Sequence, residues 1–354
     1  PQSCVDSMLP FIPSARGARP PLADGINGSI ESTQDWGETG RIDTGSYTAA
    51  RVRFASQGDQ VVANLFTPNT PGTNPAIVVL GPVGNVKEQS AIQYATRLAR
   101  LGFATLIFDP RTMGESAGQP RRNESGAGKV QDLVAALGFL STRAEVTADR
   151  LFILGLCQGA NWAIEAALIA PAVRAVALVA GHYLTPQVSA MYLGGAEQAE
   201  ARIAKGRAAA EKFHTTGEVD YIPVVSDSLA APEPDALLTF DVAQMYYRPW
   251  AFRNRFLNHR GFWENRLTAM SEQELWSQRT DLAVTRLHTP TLMIHADFAA
   301  SGPQMPRTLF DAIPATHKEL VWLGSQSQFQ FYEDPITIDT AVTQIARFLD
   351  SVQP

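Results

Sequence analysis

Apolar residues along this chain come in short unbroken runs, separated by stretches rich in Gly, Pro and charge. Six stand out: PAIVVLG (75–81), FATLIFD (103–109), LFILGL (151–156), RAVALVAG (174–181), TLMIHAD (291–297) and KELVWLG (318–324). Runs of this length, bounded by turn residues, predict strands buried on both faces, as parallel sheets require. Between them, apolar spacing of three and four residues predicts helices over Ser90 to Leu101, Lys129 to Leu140, Ala160 to Ala170 and about Ile336 to Val352. RVRFAS (51–56) and QVVANLFTP (60–68), on either side of Gly58-Asp59, predict a hairpin ahead of this series. Strand followed by helix, repeated, is the pattern of a doubly wound α/β sheet.

The alternation stops at His182 and resumes only after about Leu287. The intervening sequence is helical and irregular, and it carries Tyr246, Tyr247, Trp250, Phe252, Phe256, Phe262, Trp263 and Trp276. We therefore divide the chain into an N-terminal extension (1–48), a core in two parts (49–182 and 283–354) and a mainly helical cap (183–282) over the sheet's C-terminal edge. The cap's aromatics either form its own core or wall an apolar pocket, since ligand sites favour domain junctions. Tyr183, Tyr247, Trp250 and Trp263 are the expected wall residues.

A chain of 354 residues, 45% hydrophobic, has enough material for a large core and more than one structural unit. Its net charge of −6 and lack of a Lys/Arg run argue against nucleic acid or an anionic membrane surface as partner. No apolar stretch approaches the roughly 18 residues of a membrane span. Two cysteines, Cys4 and Cys157, exclude a disulfide framework without fixing a compartment. The first residue is Pro1, compatible with removal of a targeting segment, so cytoplasmic and exported locations both stay open. Histidines and acids lack metal-ligand spacing, and no Gly-rich loop matches a nucleotide fingerprint, so neither metal nor cofactor is expected. The expected partner is a small apolar or acyl molecule, with a homodimer left open.

Candidate chemistry centres on GLCQG (155–159). A strand, a Gly-x-nucleophile-x-Gly turn and a helix lift the central side chain above the sheet edge, here Cys157. The N–H of Gln158 and the helix N-terminus would then face a developing oxyanion and favour a thiolate. The alternative is a buried structural Cys at a strand–helix junction.

With GPVGNVKE (81–88), FDPRTMGESAGQPR (108–121), GLCQG and YIPVVSD (221–227), residues 50 to 354 resemble the α/β-hydrolase superfamily. The resemblance is nearest to the dienelactone-hydrolase-like branch, which includes fungal polyketide transferases and bacterial relatives. It implies an α/β-hydrolase fold with Cys157 as nucleophile and an oxyanion hole from the N–H groups of Val83 and Gln158. It also implies that Asp109 and Arg111 are scaffold. Two departures alter the chemistry. Where that family carries its triad acid, HADFAASGP (295–303) has Ala299, with Asp297 two residues earlier; where it carries its triad His, GSQSQF has Gln328. An amide does not take up a proton at ordinary pH, so Gln328 is no general base. His182, directly after a core strand, is the substitute base in view, and His295 is expected to be scaffold.

Three classes follow. One is a thioesterase or acyltransferase forming an acyl group on Cys157, on an ester, thioester, lactone or polyketide-like substrate. Another is a lyase, isomerase or cyclase using the same pocket and oxyanion hole. The third is a pseudoenzyme or small-ligand binder.

Overall fold

The computed structural model describes residues 41–226, 233–239, 243, 245–248, 250 and 263–352. Nine strands form one mixed sheet: β1 (Arg41–Asp43), β2 (Tyr47–Ser56), β3 (Asp59–Pro68), β4 (Asn74–Leu80), β5 (Ala104–Phe108), β6 (Val146–Leu156), β7 (Val173–Val179), β10 (Thr291–His295) and β11 (Lys318–Trp322). Their order is β1-β2-β3-β5-β4-β6-β7-β10-β11. β1, β2 and β3 run antiparallel, and β3 joins β5 antiparallel. The six strands from β5 to β11 are parallel to their neighbours.

Each parallel strand matches an apolar run of the sequence. The central ones are buried on both faces: Ile77 to Val79, Leu151 to Leu154 and Val176 to Val179 are all essentially inaccessible. Helices α1 (Ser90–Arg100), α2 (Gly126–Ser141), α3 (Gly159–Ile169) and α10 (Pro335–Ser351) make the connections and the close. Local chemistry sets their starts. Ser125 Oγ accepts from Gly128 N–H at 3.0 Å at the head of α2, and Asp334 accepts from Thr337 N–H at 2.9 Å at the head of α10, with Pro335 in its first turn. α3 has no side-chain cap; the N–H groups of Ala160 and Asn161 bond back to the Cys157 and Gln158 carbonyls of the turn, each at 3.1 Å.

The sheet begins earlier than sequence patterning gives: Arg41–Asp43 and Tyr47 lie in strands within the stretch 1–48 taken as an extension. A three-residue strand is too short to show a period. The insertion is also not wholly helical. Beside α4 (Pro186–Leu193), α5 (Ala196–Thr216), α6 (Ser271–Ser277) and α7 (Thr280–Ala283), it holds an antiparallel pair, β8 (Tyr221–Ile222) with β9 (Leu267–Thr268).

Two anchors tie this insertion to the core. Asn161 in α3 accepts from Leu184 N–H at 3.0 Å and from the Thr280 hydroxyl at 2.5 Å. The Arg122 guanidinium, fully buried before α2, donates to the carbonyls of Glu264 at 2.8 Å and Arg266 at 3.0 Å. Between β10 and β11 lies α8 (Gln304–Ala312), and the short α9 (Gln330–Glu333) precedes α10.

Chain order reverses at β4 and β6. From β4 the chain moves to β5 on one side, then returns past β4 to β6 on the other. A crevice opens at the carboxyl ends of strands where connections diverge in this way. Gly81-Pro82-Val83 leaves β4 there and Cys157 leaves β6.

Candidate active site

Cys157 has a φ of +54°, a strained conformation for a residue with a Cβ, and it sits directly between strand and helix. Small neighbours permit this. A Cβ added at Gly155 would lie 2.6 Å from the Gly159 carbonyl oxygen, and one at Gly159 would lie 2.5 Å from that of Leu80 and 2.7 Å from that of Gly81. The turn is therefore pressed against the end of β4, so the loop starting at Gly81 stands beside the thiol.

The Tyr332 hydroxyl and the backbone of Gln158 and His182 lie near the Cys157 sulfur and favour its thiolate. The positive charge of Lys129 adds to them. Burial outweighs all four and pushes the thiol up to about 11. This corrects the expectation of a thiolate favoured by the helix N-terminus. Cap and core together take the sulfur out of water, and charge is penalised more than the donors repay.

Gln328 stands one residue away from that sulfur, not on it. Its Oε1 accepts from Ala300 N–H at 2.7 Å, and its Nε2 donates to the Ala180 carbonyl at 2.9 Å and to the Tyr332 hydroxyl at 2.7 Å. Asp297 does not join this network: its Oδ1 accepts from Trp322 Nε1 at 2.8 Å. The expectation of Asp297 as a catalytic acid is corrected to this extent: its carboxylate is taken by the Trp322 indole and no hydrogen bond joins it to Gln328. Ala299, buried beside Ala300, offers no carboxylate.

His182 follows β7 as expected, and its backbone lies near the sulfur. Its ring does something else. Nδ1 lies 3.4 Å from Gln158 Nε2, and the ring packs on Tyr192 with centroids 4.4 Å apart. Burial pulls its pKa down to about 4, so the imidazole is neutral and a weak base. Nε2 is buried without a hydrogen-bond partner. His295 is held by the carbonyls of Ala296 at 3.0 Å and Gly181 at 3.3 Å, a scaffold position.

The loop after β4 is gripped on three sides. The Val83 carbonyl accepts from the Tyr247 hydroxyl at 3.1 Å. In the same peptide plane, Gly84 N–H donates to Glu124 Oε2 at 3.0 Å, and Glu124 is ion-paired with buried Lys129. The Gly84 carbonyl accepts from Arg122 at 3.3 Å. Burial pulls Arg122 down to about 10. Scaffold roles account for Asp109, which accepts from the Lys87 backbone N–H and Nζ, both at 2.8 Å, and for Arg111, paired with Asp132 at 2.6 Å.

Of the expected pocket residues, Tyr247 and Trp263 stack with centroids 5.6 Å apart above Val83. Trp250 is half-buried against the core. Tyr183 is elsewhere: its ring fills the space beside Gly181 and stacks on His295 at 6.2 Å, and its N–H donates to Ser301 Oγ. Its assignment to the pocket wall is corrected to a core position, because the chain turns inward directly after His182.

Sequence reasoning missed Tyr332 and Asn161. Tyr332 lies four residues after Gln328 and accepts from its amide at 2.7 Å, but Gln328 stands in the turn before α9, so no helical period pointed to the pair. Asn161 donates to the carbonyls of Gln158 and His182, each at 2.9 Å, so it fixes both residues whose backbone lies near the thiol. Among the described residues no three His, Cys, Asp or Glu side chains gather to hold a metal ion, and no helix is long and apolar enough to cross a membrane.

Residues 73–227 match the family model Hydrolase_4, described as serine aminopeptidase, S33. An uncharacterised protein of Pseudomonas aeruginosa, PA2218, is 36% identical over 171 residues, 48% of this chain and 46% of that protein. In sequence the chain thus spans under half of that relative. The crystal structure of PA2218 superposes with a TM-score of 0.72 at 28% identity, covering 91% of this chain and 98% of that one. Polyketide transferase af380 of Aspergillus fumigatus is 26% identical over 70% of this chain and 81% of its own. The α/β hydrolase GrgF from Penicillium sp. has a TM-score of 0.70 at 19% identity over 86% of this chain and 98% of its own, a likeness of fold alone. The sheet order, the strained turn after β6 and these likenesses show the α/β-hydrolase fold.

Proposed function

We propose that this chain is an enzyme that takes an acyl group from an ester, thioester or lactone onto Cys157 and passes it to an acceptor other than water. One observation carries the reading: the strained turn presents Cys157 beside a clamped loop, yet among the described residues no imidazole ring or carboxylate is found among the groups that act on its sulfur. Capture of an activated acyl group needs a nucleophile and an oxyanion site, and the N–H groups of Val83 and Gln158 are assigned to the latter. Hydrolysis needs in addition a base for water, and Gln328 is an amide while His182 is a weak imidazole. The relative named as a polyketide transferase supports an acyl substrate of polyketide type, and stacked Tyr247 and Trp263 supply an apolar wall for it.

One observation favours a second reading. A thiol pushed up to about 11 is neutral at ordinary pH, which suits a lyase, isomerase or cyclase that uses only the oxyanion donors. Incubation with an activated thioester, followed by intact mass spectrometry, separates the two. Retention of one acyl group, abolished in Cys157→Ala, is the expected outcome. An unmodified Cys157 together with full turnover by Cys157→Ala would rule out covalent catalysis.

A further inference from the structure

Two buried side chains at the reactive turn carry hydrogen-bonding atoms that the fold leaves unmatched. Gln158 directly follows Cys157, and its Nε2 lies 3.4 Å from Nδ1 of His182. Gln158 is fully buried and His182 is 3% exposed, yet Gln158 Oε1 and His182 Nε2 have no hydrogen-bond partner among the described residues. Buried polar atoms are nearly always matched, so two unmatched ones on a single hydrogen-bonded pair point to a ligand.

The hydrogens decide what such a pair binds. An amide nitrogen only donates, so Nδ1 is the acceptor and the imidazole, kept neutral by burial, carries its hydrogen on Nε2. The unmatched atoms are then one donor, the His182 Nε2–H, and one acceptor, Gln158 Oε1. Turning the amide over exchanges the two roles and again leaves one donor and one acceptor. The pair is held rigidly. Asn161 Nδ2 donates to the backbone carbonyls of both residues at 2.9 Å, and Tyr192 of α4 packs on the imidazole with centroids 4.4 Å apart. Since α4 belongs to the insertion, the pair lies where the insertion covers the turn.

We infer that Gln158 and His182 form a hydroxyl-binding site beside Cys157, so that the molecules this chain handles are hydroxylated. A hydroxyl gives one hydrogen and accepts another, and so matches both atoms at once. An ionised carboxylate has no hydrogen for the acceptor, an ammonium has no lone pair for the donor, and a methyl group leaves both bare. The inference deepens the proposed acyl transfer and rests on it for the reaction. The hydroxyl belongs either to the acyl chain or to an alcohol that receives it; the chemistry recognised is the same, and two arms of one experiment separate the sources.

Both arms use wild type, Gln158→Leu and His182→Phe in a Cys4→Ser background, so that one thiol reports. In the first, the rates of acylation by the N-acetylcysteamine thioesters of 3-hydroxyhexanoate and hexanoate are compared by intact mass. In the second, release of a preformed acyl group to 1-butanol is compared with release to 1-butylamine. A site built around a hydroxyl strongly rejects the analogue without it, so in one arm the wild-type preference for the hydroxyl is expected to fall roughly a hundredfold in either variant. Each preference is a ratio within one protein, so a general loss of activity cancels, and either variant carries the test if the other fails to fold. A fall of less than about tenfold in both arms would overturn the site. A wild-type protein that is never acylated would overturn the acyl-transfer reading instead, and the site is then decided by the His182 imidazole resonances in wild type. A Nε2–H signal moved by methyl 3-hydroxyhexanoate and not by methyl hexanoate supports it, and a signal moved by neither, or equally by both, overturns it.

Discussion

Replacing Gly159 by alanine puts one methyl carbon where there is no room. It would stand 2.5 Å from the Leu80 carbonyl oxygen and 2.7 Å from that of Gly81, and both obstacles are backbone at the end of a central strand. Flexible side chains are not available to yield, so either α3 lifts or β4 retreats by several tenths of an ångström. Overpacking of this kind costs about 1–3 kcal/mol, and a clash with backbone falls at the upper end, so about 3 kcal/mol is expected. Gly138 is the matched control. It is exposed within α2, and a Cβ there meets nothing within 4 Å. Its change to alanine removes only the conformational freedom of glycine in a helix and stabilises by about 0.5–1 kcal/mol. Urea unfolding of both variants measures the two signs. A second readout follows from position: Leu80 leads directly to Val83, so Gly159→Ala also moves the oxyanion loop relative to Cys157. Acyl capture is expected to slow more than tenfold in this variant and to be unchanged in Gly138→Ala. Equal stability of Gly159→Ala and wild type, with full capture, would refute the close apposition of turn and loop on which the site rests.

Restoring the missing partners should convert capture into turnover. In Gln328→His with Ala299→Asp, hydrolysis of the acyl enzyme is expected to accelerate at least about a hundredfold, read by loss of the mass adduct over time. His182 gives a pH prediction. Its pKa falls from 6.5 to about 4 on burial, so between these values the unfolded chain binds a proton that the native chain refuses. Its contribution is present above pH 6.5 and is lost as pH falls through 4, about 3 kcal/mol in all. His182→Gln is therefore expected to lose about 3 kcal/mol less than wild type between pH 7 and pH 4 in urea titrations, and identical losses would show the ring to be hydrated.

Five of the parallel strands were legible because burial on both faces leaves little polar alternation to obscure the apolar run, while the half-buried edge strand β11 was legible from Leu320 to Leu323 after its opening Lys318-Glu319. The turn after β6 was legible for a different reason: Gly155 and Gly159 are demanded by close approach, and few other contexts place glycines so. β8 and β9 were not, since two residues carry no period and their pairing joins Tyr221 to Thr268 across the insertion. The network at the sulfur was partly hidden by the same distance along the chain. Gln328 meets Ala180, and Arg122 meets Glu264, only after folding. The ionisation of Cys157 was misjudged because spacing reveals a helix N-terminus and does not reveal how completely cap and core exclude water from it.

That exclusion explains how a site could work with its titratable side chains neutral. The thiol, the imidazole of His182 and the phenol of Tyr332 all have pKa values moved by burial toward the uncharged form. The charges nearby belong instead to groups held in place: Arg122 on the Gly84 carbonyl, and Lys129 paired with Glu124, which in turn orients Gly84 N–H. Fixed charges that orient a peptide act on charge developing at an oxyanion without themselves exchanging protons, and low surrounding polarity strengthens them. A site of this kind favours reactions whose new negative charge appears on the substrate oxygen and whose proton travels with the leaving group. It disfavours those, such as attack by water, that begin by asking the protein for a base.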